Sequence, residues 1–403
     1  MTTGATPRGL RTIIGIVGRC NAGKSSLINA LCEQKVAIVS SQSGTTTDAV
    51  AKPYELLPLG PVIFYDTAGL DDVGNLGEQR IKASKNVLAK SDIALVVIGE
   101  DGLQSADYDI IAQIQNMKIP FAVVFNKTDI YSPKEKDKNW LNEKGYKYVE
   151  VSAKIGTDIN RLKDVIISIV PEIQKQDILL AGDLFNKGDI VVLVTPIDYS
   201  APKGRLILPQ VQVLREILDK GAKGIVVQEN ELASLLNDLR SKPALVIADS
   251  KVIKNVAMIV PQEVPLTTFS ILFARNKGDI EILFGGALAI DELQDGDKVL
   301  IAEACSHHVQ DDDIGRVKIP NMLKKYTGKS LEFDFCQGVE FPDDLEQYAL
   351  VIHCGACMIN RVEMLHRIRE CMHRGVKISN YGTVISKTQG LLDRVLKPLK
   401  IIS

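Results

Sequence analysis

One segment, 18-GRCNAGKS-25, limits what this chain can fold into more than any other. It fits G-x-x-x-x-G-K-S, the pattern of a phosphate-binding loop, and it stands between a strand-like run, 13-IIGIVG-18, and a helix-like run, 26-SLINALC-32. A glycine-rich turn with a chance Lys-Ser pair is the alternative, but such a turn does not require these flanking elements. The sequence therefore predicts a nucleotide site in which Lys24 contacts the β- and γ-phosphates and Ser25 binds Mg²⁺. Contacts to the nucleotide are expected from Asn21, Ala22, Gly23, Lys24, Ser25 and Ser26.

Two motifs further along the chain complete the predicted nucleotide site, and one of them indicates which base the nucleotide carries. In the motif NKTD, the Asn126 amide can bond guanine O6, and the Asp129 carboxylate can accept from N1–H and the 2-amino group, a donor pair that adenine lacks. In the motif DTAG, at the end of a predicted strand, Asp66 can hold the Mg²⁺ shell and the Gly69 amide can meet the γ-phosphate. Along the chain, DTAG and then NKTD follow the phosphate loop, and together the three motifs predict a GTP site. Further contacts near the base are expected from Lys127, Ser152, Ala153 and Lys154.

Apolar strand-like runs alternate with amphipathic segments along the chain, which predicts an α/β fold with mostly parallel sheets and crossover helices. The pattern divides into a GTP-binding P-loop domain over residues 8–172, a small α/β domain over 177–262 and a third α/β domain over 263–403. The apolar runs are 13–18, 62–69, 93–99, 121–127, 148–154, 190–196, 224–229, 245–250, 271–275, 298–305 and 349–355, and helical patterns cover 209–220, 230–241 and 361–374.

Cysteine and histidine gather at two places in the third block, 305-CSHH-308 and 353-HCGACM-358. Both segments follow predicted strands, so their side chains can meet at one edge of a sheet. The pattern C-x-x-C lets two thiolates face one ion or cluster, and C-x-H offers a third sulfur with a nearby nitrogen. Packed cysteines beside a surface histidine are the alternative without a metal. Scattered residues would rarely cluster in this way.

Two kinds of metal site are compatible with this spacing. One is a closed zinc site, which the spacing alone favours because zinc sites are commoner, and its ligands would be Cys305, His307, Cys354 and Cys357. The other is a [4Fe–4S] cluster held by the three thiolates, with a weaker ligand at its fourth iron. The candidates for the weaker ligand are His307, His353 and a carboxylate from residues 311–313.

The composition argues against several classes of function. Charged residues make up 24% of the 403 residues and the formal net charge is −2, so no basic surface for nucleic acid or for an anionic membrane is expected. The longest apolar runs are of strand length, so no membrane span is expected. Seven cysteines without a secretion signal indicate reduced thiols or metal ligands, and the predicted location is the cytoplasm.

The asparagine of the phosphate loop and the segment 44-GTTTD-48 resemble the TrmE/Era group of translational GTPases. The resemblance implies that Asn21 binds a K⁺ ion near the phosphates, where an arginine finger would otherwise lie. A turn-stabilising asparagine is the alternative at this position. The resemblance also implies that Thr46 is the switch-loop ligand of Mg²⁺, with Thr45 and Thr47 as close alternatives.

The residue after DTAG bears on the rate of GTP hydrolysis. It is Leu70, whereas small Ras-like GTPases carry a water-positioning glutamine there. A leucine side chain cannot orient water, so slow hydrolysis is expected, and the implied K⁺ ion would stimulate it. The residues expected to take part in catalysis are Lys24, Thr46, Asp66 and Gly69.

The chain as a whole resembles HydF, the family of [FeFe]-hydrogenase maturation GTPases. The resemblance rests on a GTPase followed by C-x-H and H-C-x-x-C, and on the segments 201-APKGRLILPQVQ-212 and 265-PLTTFSILFARNKGD-279. It implies that the second domain is a dimerisation domain and that the third is a [4Fe–4S] cluster domain with an exchangeable fourth position. The cluster cysteines implied by the resemblance are Cys305, Cys354 and Cys357, and the two histidines of the family correspond to His307 and His353.

The same resemblance implies a function. The protein would act as a scaffold or carrier that receives a diiron precursor assembled with radical-SAM maturases and delivers it to the apo-[FeFe]-hydrogenase. It would be a homodimer or a higher homo-oligomer, with neither nucleic acid nor membrane as a partner. The rival hypothesis is a ribosome-assembly or tRNA-modifying GTPase with a structural zinc domain, and the near-neutral charge argues against it.

Overall fold

A computed structural model describes most of the chain. The described residues are 11–32, 50–66, 87–170, 179–196, 206–304, 313–338, 341–342, 344–357 and 359–401. The chain divides into two compact units, residues 1–177 and 178–403. The predicted α/β fold with mostly parallel sheets is confirmed in each unit. Among the described residues, no helix combines the length and the hydropathy that crossing a membrane requires.

The first unit is built on a six-stranded sheet. Its strands are β1 (Thr12–Val17), β2 (Val50–Leu56), β3 (Gly60–Asp66), β4 (Ile93–Ile98), β5 (Phe121–Phe125) and β6 (Tyr148–Glu150). They lie in the order β2-β3-β1-β4-β5-β6, and all neighbours are parallel except β2 and β3. Every residue of β4 is buried, because helices cover both faces of a central parallel strand. The carboxyl ends of the parallel strands therefore form one edge, at which the phosphate loop lies.

Helices pack on both faces of this sheet. They are α1 (Lys24–Leu31), α2 (Ser105–Asn116), α3 (Glu135–Glu143) and α4 (Ile159–Ile169). Alternate residues of β4 belong to different hydrophobic clusters: Leu95 packs with residues of α1 and α4, and Val96 packs with residues of α2 and α3. This alternation follows from the period-two geometry of a strand and explains why the run 93–98 is apolar throughout.

The second unit contains two four-stranded parallel sheets. The strands of one are β7 (Ile190–Val194), β8 (Lys223–Val227), β9 (Leu245–Ala248) and β10 (Leu266–Thr268), in the order β10-β9-β7-β8. The strands of the other are β11 (Lys298–Glu303), β12 (Glu332–Gln337), β13 (Leu350–His353) and β14 (Lys377–Asn380), in the order β12-β11-β13-β14. In the latter sheet β11 and β13 are the two central strands, so the cysteine segments follow neighbouring strands.

The helices of the second unit surround these sheets. They are α5 (Leu208–Asp219), α6 (Leu232–Asp238), α7 (Ile253–Ile259), α8 (Phe269–Lys277), α9 (Ile280–Leu288), α10 (Ile319–Thr327), α11 (Arg361–His373), α12 (Tyr381–Thr388) and α13 (Leu392–Leu396). Short 3₁₀ turns cover Ala289–Glu292, Leu345–Gln347 and Lys397–Leu399, and a π-helical turn covers Ile314–Lys318.

One hydrophobic cluster joins the two sheets of the second unit. It contains Val192 of β7 and Val246 of β9 together with Val299 of β11 and Ile352 of β13. A single core of this kind explains why residues 178–403 form one compact unit. The predicted boundary between residues 262 and 263 stays a prediction.

The apolar run 271-ILFAR-275 lies within the helix α8, which begins after Thr268, whose side chain accepts a hydrogen bond from Ile271 N at 3.2 Å. Ile271 belongs to the cluster that joins the sheets, whereas Leu272 and Phe273 belong to a neighbouring cluster. A helix that is covered on several sides shows no amphipathic period, so its sequence looks like that of a buried strand.

Candidate functional site

The phosphate loop connects β1 to α1 and holds its lysine in place. Gly23 lies just before α1 with φ 89°, and a Cβ at this position would come 2.3 Å from Asn126 Nδ2, so only glycine fits. Lys24 is 3% exposed, and its Nζ donates to the carbonyl oxygens of Gly18 at 2.8 Å and Arg19 at 2.9 Å. The ammonium is thus held against the loop that is predicted to cradle the phosphates.

Arg19 also fixes the phosphate loop, through contacts with the start of α2 and the segment before it. The Arg19 guanidinium donates to Asp107 Oδ2 at 2.9 Å and to the Gly102 carbonyl at 2.8 Å. Asp107 is fully buried and also accepts from Gln104 N at 3.0 Å, where it caps the start of α2. The loop is therefore tied to the amino-terminal end of α2. No role was predicted for Arg19, although an arginine in the loop and an aspartate in the first turn of a helix can form an ion pair of this kind.

Asn126 joins the three segments that the sequence assigned to the nucleotide. Its Nδ2 donates to the Ala22 carbonyl at 3.0 Å, and its Oδ1 accepts from Ala153 N at 3.0 Å. The side chain is 2% exposed. Asn126 therefore ties the NKTD motif to the phosphate loop and to the Ser-Ala-Lys segment. The predicted contact to guanine O6 stays a prediction.

Asp129 is prepared to act as an anion. The Ser152 hydroxyl donates to Asp129 Oδ1 at 2.7 Å, and this hydrogen bond holds the pKa of the Asp129 carboxyl below its ordinary value. Ser152 itself is fully buried, so the donor has a fixed position. An ionised carboxylate is the form that accepts hydrogen bonds from the N1–H and 2-amino groups of guanine.

The other predicted residues of the GTP site divide into described and undescribed ones. Asp66 is 5% exposed at the end of β3, next to β1. Asn21 adopts a left-handed backbone conformation with φ 60°, which asparagine tolerates better than most residues. This conformation explains the choice of asparagine without a bound cation, and its K⁺ role stays a prediction. Lys127 is also left-handed, with φ 65°. Exposed side chains are Asn21, Ser25, Ser26 and Lys154, and the predicted Thr46, Gly69 and Leu70 lie outside the described residues.

The described chain that leads to Cys305 reaches Cys354 at one edge of the sheet. β11 and β13 are adjacent and parallel, with Ala302 paired to His353. Just beyond this pair, Cys354 N donates to the Ala302 carbonyl at 2.8 Å and Ala304 N donates to Cys354 Sγ at 3.2 Å. Ala304 is the residue before Cys305, which lies outside the described residues together with His307. Among the described residues, no three histidine, cysteine or acidic side chains are grouped as metal ligands.

The turn between Cys354 and Cys357 contains one glycine, but its left-handed residue is an alanine. Ala356 takes the left-handed conformation, with φ 55°, and it is 2% exposed. A non-glycine residue in this conformation costs about 1–2 kcal/mol, which the buried methyl group helps to offset. Burial raises the pKa of the Cys357 thiol, so this group must release a proton when it binds a metal.

His353 is buried and engaged on both sides of its ring. Its Nδ1 lies 2.9 Å from the Cys354 carbonyl oxygen, and its Nε2 lies 2.9 Å from Arg367 Nη1. Burial, and after it the charge of Arg367, lowers the pKa of His353 to about 3, so the ring is neutral at neutral pH. Neither ring nitrogen can reach a metal unless one of these contacts breaks. The ligand role of His353 stays a prediction.

Arg367 supports the loop that carries the cysteines, and the sequence analysis missed it. It is 2% exposed and donates to His353 Nε2, to the Gly338 carbonyl at 2.7 Å and to Glu363 Oε1 at 3.3 Å. The signal in the sequence is the i, i+4 pair Glu363 and Arg367 within α11, whose neighbours Met364 and Ile368 are apolar.

Replacing Arg367 by methionine is expected to reduce the free energy of unfolding of the second unit by about 3–5 kcal/mol, because the Glu363 carboxylate would stay buried without its cation. Urea unfolding of the full chain, followed by circular dichroism, measures this change. Arg369→Met is the matched control, since Arg369 is an exposed residue of the same helix. A loss below about 1 kcal/mol, the range of an exposed ion pair, would contradict the assigned role.

A buried polar network lies beside Cys354. The Glu303 carboxylate, 2% exposed at the end of β11, accepts from the Tyr381 hydroxyl at 3.1 Å and from Gln337 Nε2 at 3.2 Å. Burial, the charge of Glu303 and then that of Cys354 raise the pKa of Tyr381, which keeps its hydroxyl protonated as a donor. The sequence analysis missed this network, although an acidic residue in the apolar strand before Cys305 was a signal for it.

The donor set fits a cluster better than an accidental group of thiols. Cys354 Sγ accepts a backbone N–H, a contact that stabilises a sulfur ligand, and Cys357 lies in a largely apolar setting. Both cysteines are half-buried. The described part of the site thus places two soft sulfur atoms, those of Cys354 and Cys357, in the loop that follows β13.

The fold and the site of the first unit define a P-loop GTPase domain, and the sequence model of the 50S ribosome-binding GTPase family matches residues 13–127. Two models of a second family match the rest of the chain: the hydrogen maturase F dimerization domain over residues 180–278 and the tetramerization domain over 281–398. The chain therefore belongs to the hydrogen maturase F family of GTPases.

Curated relatives match the GTPase part of the chain. GTPase Era of Halothermothrix orenii is 31% identical over 164 residues, 40% of this chain and 55% of its own length. GTPase Der of Campylobacter fetus is 35% identical over 162 residues, 39% of this chain and 34% of its own length. The tRNA modification GTPase MnmE of Heliobacterium modesticaldum is 35% identical over 167 residues, 40% of this chain and 34% of its own length. The chain thus spans between about a third and about half of the length of these relatives.

Proposed function

We propose that this protein is a GTP-hydrolysing scaffold in hydrogenase maturation, which binds a [4Fe–4S] cluster and carries a diiron precursor to the apo-[FeFe]-hydrogenase. Membership of the hydrogen maturase F family supports the proposal. The observation that carries it is the hydrogen bond from Ala304 N to Cys354 Sγ, because it brings the chain leading to Cys305 up to the C-x-x-C sulfur.

The ligands of the cluster would be Cys305, Cys354 and Cys357. Cys305 would follow directly on Ala304, whose N–H donates to the Cys354 sulfur. Three thiolates leave one iron for a weaker ligand, for which His307, His353 and an acidic residue are the candidates. The cluster would supply an exchangeable coordination position, at which the diiron cargo can be held and later released.

In the GTPase unit we assign the roles as follows. Lys24 would neutralise charge on the β- and γ-phosphates, and Ser25, Thr46 and Asp66 would hold Mg²⁺. Asn126 would fix the loops around the base, while the ionised Asp129 would select guanine. Asn21 would bind K⁺ and so stimulate a hydrolysis that is slow because Leu70 cannot orient water.

The protein would work with several partners. We propose a homodimer or a higher oligomer, since two matched domains carry those names and β8 lies at the edge of its sheet with Val226 39% exposed. Radical-SAM maturases would supply the diiron precursor. The segments near Thr46 and at residues 66–72 would alter contacts with a partner when the γ-phosphate is lost. The cytoplasm would be the location, where the described cysteines would stay out of disulfide bonds.

Anaerobic reconstitution of the purified protein with iron and sulfide tests the proposal. We expect a brown protein with four irons per chain, as a [4Fe–4S] cluster requires, and an EPR signal after reduction with dithionite. One zinc per chain, no visible absorbance and no EPR signal would contradict the cluster and leave the closed zinc site as its replacement.

A further inference from the structure

Lys277 is a buried cation beside the cysteine loop. It is the last residue of α8, it is 5% exposed, and its Nζ donates to the Ile359 carbonyl at 3.2 Å. Ile359 lies two residues after Cys357. The loop after the C-x-x-C motif is therefore bound to a lysine from an element distant in sequence.

A second cation ties the same two elements together in the opposite direction. Arg361, the first residue of α11, donates from Nη1 to the carbonyl oxygens of Arg275, Asn276 and Gly278 at the end of α8. These carbonyls carry the negative end of the helix dipole, so a guanidinium is favoured there. Arg361 thus also fastens the loop to α8.

Lys277 lies close to Cys357 along the loop, since its ammonium binds the carbonyl oxygen of Ile359, two residues after Cys357. Cys357 packs against the cluster that contains Phe269, Leu272 and Phe273 of α8, so little water separates α8 from the sulfur. Charges interact more strongly in such surroundings than they do in water.

We propose that Lys277 supplies a fixed positive charge beside the cluster site and thereby favours the reduced state of the cluster; this rests on the proposed function. Reduction of [4Fe–4S]²⁺ to [4Fe–4S]⁺, with dithionite as the electron donor, adds one negative charge. A nearby cation lowers the free energy of that added charge, and the reduction potential rises. The N–H of Ala304 acts on Cys354 Sγ in the same direction.

The alternative is that Lys277 only holds the loop in position. Substitutions separate the two roles. Lys277→Met keeps a long apolar side chain and removes the charge, whereas Lys277→Arg keeps the charge with a different shape. Arg361→Gln weakens the fastening of the loop to α8 and leaves Lys277 in place.

The experiment is an EPR-monitored redox titration of the full-length protein, reconstituted anaerobically, for the wild type and these three variants. We expect Lys277→Met to shift the midpoint potential of the cluster to a more negative value, with Lys277→Arg and Arg361→Gln close to the wild type. An unchanged midpoint in Lys277→Met would overturn the inference. An equal negative shift in Arg361→Gln would also overturn it, because the effect on the potential would then not be particular to Lys277.

Metal content distinguishes a failure of this inference from a failure of the proposed function. Iron in the wild type with an unchanged midpoint in Lys277→Met contradicts the role of Lys277 alone. Zinc in place of iron in the wild type contradicts the proposed function, and the inference fails with it. If Lys277→Met does not fold, Lys277→Gln takes its place, since it lacks the charge and keeps a donor for the Ile359 carbonyl.

Discussion

GTP hydrolysis is expected to fall by about 10²- to 10³-fold or more when Lys24 is replaced by alanine, because one pre-positioned donor to a developing charge accounts for a factor of this size. The Lys24 ammonium is buried and held by the carbonyl oxygens of Gly18 and Arg19, so it needs little rearrangement to meet phosphate oxygens. Phosphate release at saturating Mg²⁺-GTP measures the effect.

Lys136→Ala is the matched control for this substitution. Lys136 is an exposed residue of α3, and alanine is a good helix former, so the control should keep the wild-type rate. Circular dichroism shows whether both variants are folded. Hydrolysis by Lys24→Ala at the rate of the control would remove Lys24 from catalysis and with it the assignment of the phosphate site.

Loss of the cluster is expected when Cys354 is replaced by serine. Cys354 Sγ accepts a hydrogen bond from Ala304 N, the residue before Cys305, and we propose it as a ligand of the cluster. A serine hydroxyl is a harder and much less acidic donor than a thiol, so it is a poor ligand for an iron–sulfur cluster. Iron content, visible absorption and the EPR signal after anaerobic reconstitution should all fall to near the background of unreconstituted protein.

Cys20→Ser is the control for the cysteine substitution. Cys20 is exposed in the GTPase unit, so its replacement should leave the iron content at the wild-type value. A Cys354→Ser variant that is folded and retains the full iron content and EPR signal would remove Cys354 from the set of ligands. A loss of iron in Cys20→Ser would show that reconstitution reports nonspecific thiol binding.

The first unit was predictable because its signals are local. The central strand β4 is apolar throughout and its neighbour β1 nearly so, and the phosphate loop lies between β1 and α1. The antiparallel edge strand β2 was not predicted, because VAKPYEL contains proline and charged residues, and within residues 51–56 only Leu56 is buried. The helix α8 was not recognised as a helix, because burial on several sides hides its period.

The site was predictable where motifs place chemistry at fixed spacing, and not where it depends on contacts between distant residues. The residues Asn126 and Asp129 follow from the motif, but the use of the Asn126 side chain as a link between Ala22 and Ala153 does not. The grouping of the cysteines was likewise evident from the sequence. The contact between His353 and Arg367 depends on how α11 packs on the sheet, which no spacing reveals.

The single hydrophobic core beneath both sheets of the second unit restricts how such a protein can evolve or be engineered. Cutting the chain near residue 262 would remove apolar neighbours such as Val192 and Val246 from the core around Val299 and Ile352. The apolar surface exposed in this way would promote aggregation. The GTPase unit carries its own interior and can be exchanged as a module. Residues 178–403 would therefore have to be transferred or redesigned together as a single unit.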